Sequence, residues 1–200
     1  MGVLWALEPH TEAKHRLYKR YLDAWFPIFL QQKWVNRVTY VDAFAGPGEY
    51  EGGEDGSPVF ALDRLLNHEA RQRMNLTRSR VMMIFIEGDQ ARTRHLNDLL
   101  VKRFGPLDRL PVTVIVKHGR AELDTLPLLT QTGAWGSPIL AIYDSWGNVG
   151  VPWEHLQKIA GLQIDRIVEK IRSRGIELEV GDDVRKLIIE NGFDEEYGAR

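Results

Sequence analysis

The sequence predicts an α/β protein: a doubly wound, mainly parallel sheet followed by a small α/β segment at the C-terminal end. Three observations predict it. Strand-like runs near Val38–Phe44, Val81–Glu87, Val112–His118 and Pro138–Tyr143 alternate with helical patterns, which implies right-handed β-α-β crossovers. Val81–Glu87 is almost continuously apolar, as expected of a strand covered on both faces. The 200 residues, 44% hydrophobic and 10% aromatic against 27% charged, supply enough apolar surface for a core and enough chain for one domain with an appendage.

The first helix is expected over about Thr11–Trp34, where Leu17, Tyr21, Leu22, Trp25, Phe26 and Phe29 recur at helical spacing and Pro27 kinks or ends it. Its other face carries Lys14, His15, Arg16, Lys19 and Arg20, either a solvated face or a basic strip for an anionic partner such as nucleic acid. The first strand then delivers its end into the turn Ala45-Gly46-Pro47-Gly48. Ser57-Pro58 reads as an N-cap with proline at the first helical position, opening a helix to about His68 with Val59, Leu62, Leu65 and Leu66 on one side. Asp89 caps a helix that runs to Phe104 and stops at Gly105-Pro106.

Past Ala160 the character changes. Residues 161–200 contain no Trp and carry seven basic against ten acidic residues. A helix is expected near Leu162–Arg174, a stop at Gly175, a short strand over Ile176–Val180 and a second helix from Asp182 or Asp183 to Asn191. Gly161 is the expected boundary between a domain of residues 1–160 and a segment of 161–200.

The chain has no cysteine, which excludes disulfides, thiolate metal sites and cysteine nucleophiles and fits a reducing cytoplasm. A net charge of −2 gives no global field for nucleic acid, so any such binding needs a local patch. No apolar run approaches the roughly 20 residues of a membrane span, and Met1–Leu7 lacks a basic leader. A cytoplasmic protein without membrane contact is expected. Neither a phosphate loop of the form Gly-x4-Gly-Lys-Ser/Thr nor a His-Glu-x-x-His cluster is present.

In a doubly wound sheet ligands bind beyond the carboxyl ends of the strands, and chemistry-bearing residues cluster there. Asp42 and Phe44 lead into Gly46 and Gly48, where backbone can approach a ligand and a carboxylate can take an amine or hydroxyl; a purely structural turn explains the same residues. Glu87 ends the second strand, where it either holds ribose hydroxyls or caps the Gly88-Asp89 turn. His118-Gly119-Arg120 could border a bound base. Asp144-Ser145-Trp146-Gly147 ends the fourth strand; Asp144 is the candidate proton acceptor and Trp146 a stacking surface, unless the segment is a turn with a buried Trp.

Trp5, Glu8-Pro9-His10-Thr11, Lys14-His15, Tyr21-Leu22, Ala24-Trp25, Tyr40 through Tyr50, Gly52-Gly53, Gly56-Ser57-Pro58, Phe85-Ile86-Glu87 and Asp144-Ser145-Trp146-Gly147 resemble the three-Cys-motif partner proteins over about residues 1–160. That family is similar to class I methyltransferases, so the resemblance implies a Rossmann-like methyltransferase fold, here incomplete, with S-adenosylmethionine as cofactor and a Cys-motif protein as partner. It places Asp42, Phe44, Gly46 and Gly48 around the methionine part, Glu87 at the ribose and Asp144 on the acceptor side, the acceptor being nucleic acid, reached through Lys14, Arg16, Lys19 and Arg20, or protein. A non-catalytic partner-binding module of the same fold is the alternative.

The tail resembles a different family. Ile164 through Val168, Arg174 through Leu178 and Gly192-Phe193-Asp194-Glu195-Glu196-Tyr197-Gly198-Ala199-Arg200 look like the C-terminal small domain of Clp-type ATPases, in which the arginine of the Gly-Ala-Arg motif, here Arg200, senses nucleotide. The chain stops where that family continues, which reads as a fusion, a truncation or an artificial joining, with an oligomerisation or nucleotide-sensing tail.

Overall fold

The structure is a computed structural model that describes residues 2–145 continuously and, beyond them, 157, 161, 164–165, 168–169, 171–173, 175–191, 193–194 and 198–199. The chain divides into two compact units, Met1–Asn148 and Val149–Arg200. Trp146, Gly147, Trp153–Glu154 and Arg200 lie outside the described residues.

In the first unit, helix α1 (Pro9–Leu30) precedes strand β1 (Val38–Asp42), and α2 (Ser57–Leu66) and a single turn α3 (Arg71–Met74) lead to β2 (Val81–Glu87). Helix α4 (Gln90–Phe104) and a 3-10 turn (Leu107–Arg109) precede β3 (Thr113–His118), and α5 (Ala121–Gln131) precedes β4 (Ile139–Ile142). The four strands form one parallel sheet in the order β3-β2-β1-β4, with Tyr40 beside Met83 and Leu140, and Ile84 beside Ile115. The α/β class expected from the sequence is the class found.

Strand alternation divides the apolar side chains between two layers. Val38, Tyr40, Met83 and Phe85 face one side and pack with Leu22, Trp25 and Phe26 of α1, Phe60 and Leu62 of α2, and Leu96 and Leu100 of α4. Val41, Met82, Ile84 and Ile86 face the other, under Leu128 and Leu129 of α5. Helices therefore cover both faces, which explains why β1 and β2 are buried at every position.

Several local expectations are corrected. Pro27 does not end α1, which runs on to Leu30. Proline lacks the N–H that would bond to the carbonyl of Asp23; the His68 ring nitrogen lies 3.0 Å from that oxygen instead, so the gap is filled from outside the helix. Ser57 is the first residue of α2 rather than its cap, and Gly56 occupies the cap position. Helix α5 has no counterpart in the sequence reading, because Pro127 interrupts a weakly amphipathic stretch. Asp89, in contrast, caps α4 through Oδ1, which accepts from the Arg92 N–H at 2.9 Å, and Gly105 closes it.

In the second unit, the described residues between 161 and 172 that have a secondary structure are helical, and Gly175 follows with φ +78°. Residues 176–180 have no regular structure, so the strand expected over Ile176–Val180 is absent: the segment has no partner strand among the described residues to complete a ladder. Helix α6 (Asp182–Asn191) is followed by a two-residue antiparallel pair, β5 (Phe193–Asp194) and β6 (Gly198–Ala199). Arg185 holds Asp165 at 2.7 Å and donates to the Val180 carbonyl, fixing the entry to α6. No described helix is long and apolar enough to cross a membrane.

Candidate functional site

Strand order reverses between β1 and β4, so the crevice of a doubly wound sheet lies beyond their carboxyl ends. Asp42 stands at the end of β1 with 1% of its surface exposed. Its Oδ1 accepts from the Phe44 N–H at 3.3 Å, and Oδ2 has no hydrogen-bond partner among the described residues. Burial pushes the Asp42 carboxyl up to about 6; Ser57 and the Phe44 N–H oppose that rise, while Asp144 and Glu87 add to it.

The turn after β1 is tied to the end of β2. Gly46, at φ +63°, donates its N–H to Oε2 of Glu87 at 2.9 Å, and the Asp89 N–H donates to Oε1 at 2.8 Å. Arg92 lies 3.8 Å from the same carboxylate and covers the ring of Trp5 at 4.9 Å. Gly48, at φ +88°, serves a different purpose: a Cβ there would sit 2.7 Å from Leu96 Cδ1, so glycine is required for α4 to pack against the turn. Of the two glycines, Gly46 has Trp5 as its nearest neighbour on the Cβ side, at 3.5 Å.

Asp144 follows β4 and receives Lys14 of α1, whose Nζ lies 2.7 Å from Oδ1. Burial, with the nearby Asp144 and Asp42 charges, pushes the Tyr18 phenol well up. His15, 6% exposed, lies between Tyr50 and Phe60 at 5.6 and 5.0 Å, and its Nε2 is 3.4 Å from the Tyr50 oxygen. Burial, with the nearby Lys19 charge, lowers it to about 4, so it is neutral at pH 7. Phe44 and Tyr143, each just past a strand end, meet edge to face at 6.5 Å.

Asp42, Gly46, Glu87 and Asp144 therefore gather at one end of the sheet. The basic residues of α1 are separated: Lys14 is drawn to Asp144, Arg16 pairs with Glu12 at 2.6 Å, Lys19 covers Phe60 at 5.1 Å, and Arg20 is exposed. The His118 ring nitrogen lies 3.1 Å from the Gly88 carbonyl, and Arg120 pairs with Glu122. Sequence reading missed the site roles of Lys14, His15, Tyr18 and Tyr50. The i, i+1, i+4 spacing of Lys14, His15 and Tyr18 on α1 was visible, but a helix 100 residues and more from Asp144 gives no sign of which face meets it.

A hollow of about 660 Å³ lies at the opposite, amino ends of the strands, lined by Asn36, Arg37, Ser79, Gln131, Thr132, Gly133 and Ser137. Arg37 spends its guanidinium there on the carbonyls of Ser79 and Thr132, at 2.9 and 2.6 Å, so that end is a seam between loops. No group of three or more His, Asp or Glu suited to a metal occurs among the described residues.

Comparison with known proteins finds likeness in the tail. Residues 153–200 match the family model of the C-terminal, D2-small domain of ClpB protein. The chain is 46% identical over 43 residues to the chaperone protein ClpC4, chloroplastic, of Oryza sativa subsp. japonica, covering 22% of this chain and 5% of that protein. It is 40% identical over 47 residues to the chaperone protein ClpB of Vibrio vulnificus, covering 24% and 6%, and 43% identical over 47 residues to ClpB of Vibrio cholerae, with the same coverage. The chain thus spans about one twentieth of the length of these relatives. No solved structure matches. The Clp resemblance of the tail is supported, and none of these comparisons supports the methyltransferase resemblance of the first 160 residues.

Proposed function

We propose that the protein joins a ligand-binding α/β unit to a Clp-type small-domain segment that promotes self-association. The observation that carries this reading is the match over residues 153–200, a stretch beyond the last strand of the parallel sheet. The acidic, amphipathic α6 and the β5–β6 pair suit an element that packs against a neighbour. Nucleotide sensing by Arg200 would need a phosphate loop, which these 200 residues do not contain. Light scattering on the full chain and on residues 1–152 tests the association role. A larger assembly is expected only for the full chain, and equal monomer masses would overturn it.

For the α/β unit the reading is a methyltransferase-like, Rossmann-like module that binds S-adenosylmethionine. Its support is the strand order β3-β2-β1-β4 together with the orphaned Oδ2 of Asp42 at the point where that order reverses. A buried carboxylate oxygen without a donor fits the ammonium of an amino-acid ligand. The Glu87 oxygens already accept one N–H each and retain lone pairs for ribose hydroxyls, and Gly46 lets backbone come close. Gly48 contributes through packing. The bound cofactor would supply a transferable methyl group; the chain's part is to hold an N or O nucleophile beside Asp144, which accepts its proton. A Cys-motif protein as partner rests on the resemblance, and nucleic acid as acceptor on the basic residues of α1. Calorimetry with S-adenosylhomocysteine tests the module: binding weakened at least about tenfold by Asp42→Asn is expected from loss of a charged hydrogen bond, and no binding by the intact protein would overturn it.

A further inference from the structure

We propose that the Asp144 end of the crevice is a subsite for a primary amine, and that the Lys14 side chain is its built-in occupant. The inference rests on the reading that this crevice is the ligand site, and it names the class of acceptor: an alkylammonium group rather than a phosphate-bearing one. Lys14 Nζ sits 2.7 Å from Asp144 Oδ1, a charge-assisted contact between residues 130 positions apart. Both side chains remain partly open to solvent, at 47% and 31% exposure, so the contact lies at a mouth and not in the core.

The surroundings fit a single cation. The half-buried Tyr18 lies near enough to Asp144 for that charge to raise its phenol further, so it stays neutral beside the carboxylate. His15 is neutral and offers no competing positive charge at this place. Asp42, buried one strand away with an orphaned oxygen, adds negative charge that would repel a phosphate and attract an ammonium. Lys14 therefore shows, within the chain itself, which group the subsite accommodates.

Removing the occupant should open the subsite to an external one. The full-length Lys14→Ala variant is titrated with n-butylamine by NMR chemical-shift perturbation at pH 7.5, beside the wild type, Lys14→Met and the double variant Lys14→Ala/Asp144→Asn. Binding in roughly the millimolar range is expected for Lys14→Ala, as suits a ligand of so few atoms. The wild type and Lys14→Met should bind about tenfold more weakly or not at all, because the side-chain stem still fills the space. Loss of binding in the double variant ties the amine to Asp144. Equal binding by wild type and Lys14→Ala, or binding indifferent to Asp144→Asn, overturns the proposal, as does the absence of binding by a Lys14→Ala protein whose spectrum shows it folded. Inorganic phosphate serves as the opposing probe, and its preferential uptake would also overturn the amine assignment. Titration of the wild type with S-adenosylhomocysteine is independent of these arms: amine binding without it sinks the cofactor reading alone, and the reverse pattern sinks the amine subsite alone.

Discussion

Gly46 donates its backbone N–H to Oε2 of Glu87 across 2.9 Å, joining the turn after β1 to the end of β2 although 41 residues separate them. The other carboxylate oxygen takes the Asp89 N–H, so one side chain organises two loops at the rim of the candidate site. A ligand arriving at this rim meets backbone that is already fixed, which lowers the ordering cost of binding.

Glu87→Ala should destabilise the protein by about 2–3 kcal/mol, because two backbone donors lose a charged acceptor in a largely buried place. Glu87→Gln keeps one acceptor oxygen and should lose about half as much. Urea unfolding of the two variants measures the difference, and a loss under ~0.5 kcal/mol for the alanine variant would show that the clamp is dispensable.

Gly48→Ala places a methyl group at φ +88° and 2.7 Å from Leu96 Cδ1. Backbone strain and overpacking together should cost about 2–4 kcal/mol. Gly53→Ala is the control for the backbone term, since its φ is +85° and nothing lies within 4 Å of the added carbon. Only about 1 kcal/mol is expected there, read in the same denaturation series.

Asp42 and His15 should give opposite pH dependences. The Asp42 carboxyl is raised from 3.8 to about 6, so between these values the folded protein holds a proton that the unfolded chain has lost, and stability falls as pH rises from 4 to 6. His15 is lowered from 6.5 to about 4, so the unfolded chain holds the extra proton across that window and stability grows with pH up to 6.5. The two trends oppose each other in the wild type. Asp42→Asn should leave a steeper rise from pH 4 to 6.5 and His15→Gln a net fall from 4 to 6, each by an amount on the order of 2 kcal/mol. Unfolding free energies across pH 4–7 for the three proteins give the difference curves; parallel curves would refute both assignments.

Arg80 ties the loop before β1 to the loop before β2 at the amino ends of the strands. Its Nη1 donates to the carbonyls of Met74 and Asn75 at 2.7 and 3.1 Å, and its Nη2 to those of Leu30 and Val35 at 2.9 and 3.2 Å. Lysine cannot reproduce this fork, so Arg80→Lys should cost about 2 kcal/mol or more. Thermal unfolding of Arg80→Lys against wild type checks it, and an unchanged midpoint would contradict the role.

The sequence alone determined the elements whose signals are local. Val81–Ile86 is apolar throughout because both faces are covered, and Asp89 and Gly105 bracket α4 through their own local chemistry. The carboxylates at the strand ends were legible for the same reason: a strand followed by Gly-x-Gly or by an acidic turn places them at the rim of a parallel sheet. The Clp-like character of the tail was also legible, in the run from Gly192 to Arg200. What the sequence left open depended on contacts across the fold. Pro27 stays within α1 because His68, 41 residues away, takes the carbonyl it leaves free. Ile176–Val180 has β-branched residues but no described partner strand, and a ladder needs two. Lys14, Tyr18 and Asp144 meet because α1 packs across the face of the sheet on which β1 and β4 end, and only tertiary packing decides which face of a helix reaches a site. Helical periodicity separates a buried face from an exposed one; it carries no information about the residue, more than a hundred positions away, that the remaining edge will touch.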